Sequence, residues 1–129
     1  MVDVLLAPDP KLAVITYLSE HLDCPVVGAI PHTRPPVFVR IMLAGGSGVH
    51  RLVLDRTAFT VECWHQSEPE AARLAQRARA LVLAADYMGG EPVYGVREWS
   101  SPKDHPDESG QPRYRQTIEM RMRRYNAVL

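Results

Sequence analysis

The sequence predicts an α+β fold: a single domain whose mainly antiparallel β-sheet is packed by two helices, in the order α-β-β-β-α-β-β. Three observations carry this. Two segments with helical apolar spacing, at 9–23 and 67–85, bracket a block of strand-like alternation at 37–65. A second strand-like block, Val93–Trp99 and then Arg113 onward, closes the chain. The 129 residues suffice for one hydrophobic core, and so for one domain spanning 1–129.

The first helix has Asp9 as a good N-cap and Pro10 at the first helical position, where its missing N–H costs nothing. Leu12, Ile15, Leu18 and Leu22 recur at helical spacing, and Pro25 stops the helix. Val26–Ile30 is a short β-prone run, closed by Pro31 and the breakers Thr33 to Pro36. Val37–Ala44 reads as a strand, with Val37, Val39, Ile41 and Leu43 on one face and Arg40 on the other. Gly45-Gly46-Ser47-Gly48 reads as a flexible turn. Arg51–Asp55 and Thr57–His65 give further β signal, the second with Phe59, Val61, Cys63 and His65 on one side.

Ser67 to Ala85 has the clearest helical pattern. Ser67 is an N-cap with capping-box spacing to Glu70, and the first turn is acidic. Ala71, Leu74, Ala75, Ala78, Leu81, Val82 and Ala85 form an apolar stripe, while Arg73, Gln76, Arg77 and Arg79 project elsewhere. Gly89-Gly90 follows the helix end. In the last strand Tyr114, Gln116, Ile118, Met120 and Met122 face one side; Arg113, Arg115, Thr117, Glu119, Arg121 and Arg123 face the other. A polar loop arm at about 100–112 joins the two closing strands and is too long for a tight turn.

Formal net charge is zero and the pI is near 7.0. Whole-chain electrostatics therefore give no reason to expect nucleic acid or acidic membranes as partners, and do little to oppose self-association. No apolar run is long enough to span a bilayer, and no secretory signal pattern opens the chain, so a cytoplasmic setting is expected. Cys24 and Cys63 form no CxxC pair and read as small buried hydrophobes; a disulfide between them is a question of geometry.

The glycine-rich stretch at 45–48 lacks the Lys and the following helix that a phosphate loop needs. Cys63 and His65 share a strand face, but one Cys-x-His falls short of the paired spacings of structural zinc sites. Asp104, His105, Asp107 and Glu108 cluster in the arm, where ordinary turn chemistry favours a solvated loop over an ion site. The serines lie in helix, turn or cap settings without a nucleophile elbow, so no argument for an enzyme arises. No catalytic residue, metal or cofactor is assigned. Arg113, Arg115, Arg121, Arg123 and Arg124 are the main basic feature. They admit three readings: phosphate contact with Tyr114 stacking on a base, a solvated outer face, or a subunit interface that pairs with a neighbour's acidic loop.

The run from Phe59 to Ala80, a Gly-bounded strand, and then Pro106 to Arg123 together resemble the small tail terminator, or tail completion, proteins of long-tailed bacteriophages, those of actinobacteriophages in particular. The shared shape is a strand ending in an aromatic residue and an alanine-rich helix opened by Ser67 and Glu68. It ends in a Gly-containing acidic turn, with Pro112-Arg113-Tyr114 opening the final strand. The resemblance covers roughly residues 34–124. It implies a structural virion protein without enzymatic activity or cofactor. Such a protein assembles in the host cytoplasm as a hexameric ring at the head-proximal end of the tail. There it caps the tail tube, stops polymerisation and forms the surface for head attachment. The implied partners are further copies of itself, the tail tube protein and the head–tail connector protein, with no membrane.

The resemblance implies assembly surfaces at loops and sheet edges, which polarity and turn content place here at 45–50 and 100–115. Asp107, Glu108, Arg113 and Arg115 are the expected intersubunit residues, with Arg73 and Arg77 secondary. Charge reversal at Arg113 is expected to impair the ring without unfolding the domain. A head–tail connector ring is the nearest alternative. From another class, the alternative is a small nucleic-acid-binding module using the Arg-bearing C-terminal strand.

Overall fold

A computed structural model describes all of residues 1–129. In chain order the elements are β1 (Asp3–Leu6), α1 (Pro10–His21), β2 (Val26–Val27), β3 (Phe38–His50), β4 (Leu54–Trp64), α2 (Glu68–Leu83), β5 (Tyr87–Met88), β6 (Glu91–Asp104), β7 (Arg113–Arg123) and β8 (Tyr125–Val128). Six strands form one sheet in the order β2-β3-β4-β7-β6-β5, antiparallel except for the β2–β3 pair. The α+β class and the mainly antiparallel sheet are those the sequence predicts.

Both helices lie on one face of the sheet. Val39 and Ile41 of β3, Phe59, Val61 and Cys63 of β4, and Ile118, Met120 and Met122 of β7 meet them in a single apolar cluster. In α1, Asp9 caps by accepting from the Leu12 N–H at 3.0 Å. Its buried face is Ala13, Val14 and Leu18, with Leu22 just beyond the end, whereas Leu12 is exposed. The stripe is thus centred on the 14–18–22 line, and Leu12 falls outside it because at about 100° per residue it lies about 160° around the helix from Val14. In α2, the Ser67 hydroxyl accepts from the Glu70 N–H at 3.3 Å, but the Glu70 carboxylate turns to Arg73 and leaves the capping box half closed. Ala71, Leu74, Ala75, Ala78 and Val82 form its buried face, as expected. The Tyr17 hydroxyl donates to the Leu81 carbonyl at 2.6 Å and ties the helices together. No helix is long and apolar enough to cross a membrane.

Five expectations change. Gly45–Gly48 is not the hairpin turn. β3 runs through it to His50, with register breaks between Leu43 and Gly45 and between Gly45 and Gly48. Those bulges curl the strand over the outer face of the sheet, where Ser47 N–H reaches the Glu119 carboxylate at 2.9 Å. Gly46, at φ 116°, has room for no side chain, because the backbone of Arg56 to Ala58 lies directly beneath it. The turn falls instead at Arg51 and Leu52, both with positive φ (51° and 62°), closed by Val53 N–H to the His50 carbonyl at 3.3 Å. Residues 51–53 are therefore turn, and β4 begins at Leu54.

Leu43 keeps the facing of its partner Phe59 but lies beyond the helical cover, half exposed. Only Val26 and Val27 of the 26–30 run are strand. Lastly, β6 continues to Asp104 through three register breaks, so the arm spans 105–112 rather than 100–112. The β1–β8 ribbon, which brings the two ends of the chain together, was not expected.

Candidate assembly surface

The arm between β6 and β7 is held down by a tryptophan. Trp64 is fully buried although it follows the core-facing Cys63 and so points to the opposite face. Its ring stacks on Phe38, its cross-strand partner, with centroids 4.4 Å apart and planes 7° from parallel. Three guanidiniums surround the ring, those of Arg34, Arg40 and Arg113 at 5.9, 5.7 and 5.4 Å. Trp64 Nε1–H donates to Asp107 Oδ2 at 2.8 Å, and Arg34 donates to the same oxygen at 2.5 Å. The other oxygen of Asp107 accepts from the backbone N–H and hydroxyl of Ser109. Burial pushes the Asp107 carboxyl up. The hydrogen bonds from Ser109, Trp64 and Arg34 outweigh that and hold it well below the usual carboxylate range. Gln111 Nε2–H completes the clamp by donating to the Pro36 carbonyl at 3.0 Å.

Beneath the arm, Glu62 is only 1% exposed. Arg40 Nε donates to it at 2.7 Å and Arg113 lies 3.3 Å from its second oxygen. Arg113 also donates to the His105 carbonyl at 2.9 Å and faces His105 Nδ1 at 2.7 Å. A buried charge of this kind persists only when paired on each oxygen, which is what the two arginines supply.

α2 separates two further charged surfaces. On one flank, Arg73 and Arg77 line a cleft of about 520 Å³ with Cys24, Pro36, His65 and Glu70. Arg73 pairs with Glu70, whereas Arg77 has no ion-pair partner. Glu68 sits nine residues before Arg77 on this helix. At roughly 100° per residue that is half a turn away, on the flank toward β6. Its carboxylate accepts from the Tyr114 hydroxyl at 2.5 Å, which pushes that hydroxyl up to about 12. Asp104 is the cross-strand partner of Tyr114, so two carboxylates without an ion-pair partner share this flank. Arg79, on the same side, is consumed by Glu98 of β6 through bonds of 2.5 and 2.8 Å.

Of the expected intersubunit residues, Asp107, Glu108 and Arg113 line one shallow recess of about 260 Å³ with Arg34. Only Glu108 of these has its charge free; Asp107 and Arg113 are spent within the chain. Arg115 stands one row along, opposite Glu62 on β4 and Lys103 on β6. Arg73 and Arg77 belong to the separate cleft on α2. Sequence reasoning missed Arg34, Arg40 and Glu62, which complete the cluster under the arm. The alternation of 37–43 and 57–65 carried the signal, since it sets Arg40, Glu62 and Trp64 on the face opposite the apolar residues. Cys63 and His65 do not meet: Cys63 is sealed in the core, where burial pushes its thiol up, while His65 turns to Gln66 and Glu70. Cys24 and Cys63 are both free thiols.

No protein-family profile matches this chain, and no curated protein matches it significantly.

Proposed function

We propose that this protein is a ring-forming virion component, the tail terminator of a long-tailed phage, which caps the tail tube and ends its growth. The reading joins the motif resemblance to the distribution of free charge, and one observation carries it. Arg77 on one flank of α2 and Glu68 and Asp104 on the other have no ion-pair partner, are opposite in charge and lie on opposite sides of one rigid element. Head-to-tail contact between such flanks is heterologous, and heterologous contacts close into a ring when the rotation closes. The sheet edges suit the same packing, because β3 and β6 are covered only by the two-residue strands β2 and β5. Glu108, exposed at the arm, is available to a neighbour on the other face.

The mechanism is geometric. A tube grows because each ring exposes a face complementary to the next. A terminator ring matches that face once and offers a different far face, so addition stops. Each contact is modest, and the ring holds because many act together. In the proposed virion the partners are further copies in a hexamer, the tube protein below and the connector above.

The test is a charge swap read by negative-stain microscopy of tubes mixed with the purified protein. Arg77→Glu and Glu68→Lys should each fold and fail to cap tubes, and the chain carrying both should regain capping. Capping by both single variants at the wild-type level would remove the flank-to-flank contact.

A further inference from the structure

The outer face of the sheet carries a second cation cluster, away from the arm. Arg56 of β4 and Arg121 of β7 are direct cross-strand partners, and Arg97 of β6 is the partner of Glu119 on β7. With Gly95 these residues line a recess of about 180 Å³ that contains no apolar side chain. Like charges set directly opposite one another weaken a sheet. None of the three arginines has an ion-pair partner. The lone carboxylate, Glu119, is 5% exposed and its Oε2 is turned to the Ser47 N–H and hydroxyl. Three positive charges against one negative leave the recess doubly positive in a chain with no net charge.

The cluster is also held in place. Arg56 donates Nε–H to the Gly48 carbonyl at 3.2 Å and an Nη–H to the Ser47 carbonyl at 3.4 Å, which leaves its other donors free. Arg121 lies over Gly95, at a register break in β6 between Val93 and Val96. A Cβ at position 95 would collide with that guanidinium, so the missing side chain is what lets it lie across the floor.

We propose that this recess is an oxyanion site that takes a phosphate group. Planar guanidinium forks match phosphate oxygens bidentately, and a dianion offsets the double positive charge that the fold leaves uncompensated. The phosphate is either free, inorganic or on a small molecule, or part of a nucleic-acid backbone. For the second source Arg123, exposed two residues along on the same face of β7, extends the cationic row. The site rests on its own observations and stands apart from the ring reading.

The experiment uses the purified full chain, titrated with inorganic phosphate while the Gly95 amide is followed by NMR. A single-site saturable shift is expected, weakened at least tenfold in Arg97→Gln and Arg121→Gln. Without phosphate, Arg121→Gln should unfold at a higher temperature than wild type, because it relieves the Arg56–Arg121 opposition; a purely structural arginine would do the reverse. A short single-stranded oligonucleotide is then added. Displacement of phosphate, with affinity falling log-linearly with salt, assigns the backbone source. Failure to displace assigns the free source. The proposal is overturned if phosphate gives no saturable shift at Gly95, or if the folded Arg→Gln variants bind it as wild type does.

Discussion

The sequence marks Arg113 as an interface residue whose charge reversal impairs the ring without unfolding the domain, and its surroundings predict that the reversal unfolds the domain as well. Its side chain is 12% exposed and lies 3.3 Å from the carboxylate of Glu62, itself 2% exposed. Arg113→Gln removes that cation, the hydrogen bonds to His105 and one of three guanidiniums on Trp64. Glu62 keeps Arg40, so the loss falls short of the roughly 3–5 kcal/mol that follows breaking a buried pair outright. One charge-assisted hydrogen bond is worth about 1.5–3 kcal/mol and a cation–π contact about 0.5–1 kcal/mol, which sets the expected loss at about 2–4 kcal/mol. Arg113→Glu adds a second carboxylate beside Glu62. At about 4 Å and an effective dielectric of about 20, that repulsion is about 4 kcal/mol. The total of about 6–8 kcal/mol is comparable with the whole stability of a domain, about 5–15 kcal/mol. Urea unfolding at neutral pH, followed by tryptophan fluorescence and far-ultraviolet circular dichroism, measures both variants. The reasoning fails if Arg113→Gln lies within about 0.5 kcal/mol of wild type, the scatter of an unremarkable surface change. It fails equally if Arg113→Glu unfolds no earlier than Arg113→Gln.

Other consequences follow from single residues. Leu52→Gly should stabilise the protein by about 1 kcal/mol, because an L-residue at positive φ costs about 1–2 kcal/mol there and glycine does not; thermal melting would show a rise of a few degrees. Asp107 has a folded value below its ordinary 3.8, so its contribution is fully present above about pH 5 and is lost as the pH falls through the depressed value. Unfolding free energies measured from pH 5 downward should therefore fall less steeply in Asp107→Asn than in wild type. Gln116 is buried with its amide donating to the Ala75 carbonyl at 3.1 Å, but its Oε1 has no partner. Gln116→Met should change stability by less than about 1.5 kcal/mol in either direction, whereas Gln116→Ala should cost about 2 kcal/mol or more through the cavity it leaves; denaturant midpoints separate the two.

The sequence made the helices and the inner face of the sheet legible because period and capping agree there. Asp9, Pro10 and Ser67 mark where the helices start, and the alternation from Tyr114 to Met122 assigns every inward residue of β7 correctly. The hairpin turn was misplaced for a physical reason. Glycines at 45–48 carry the composition of a turn, but they serve a bulge, while the turn itself uses Arg51 and Leu52 against their own preference. Leu12 misled because leucine spacing alone does not distinguish neighbouring stripes on a helix. The charged residues of the arm were legible as a cluster and not as partners. Their pairing depends on Arg34, Arg40, Glu62 and Trp64, which only the register of β3, β4 and β7 brings together. Asp107 and Arg113 thus belong to the fold, and the free charges on α2 carry the proposed assembly contact.

The most direct test of the terminator reading is the length of tail tubes, seen by electron microscopy, when phage assembly proceeds without this protein. The account predicts overlong tubes lacking heads. Tubes of normal length would contradict it, whether found beside free heads or joined to them in intact virions.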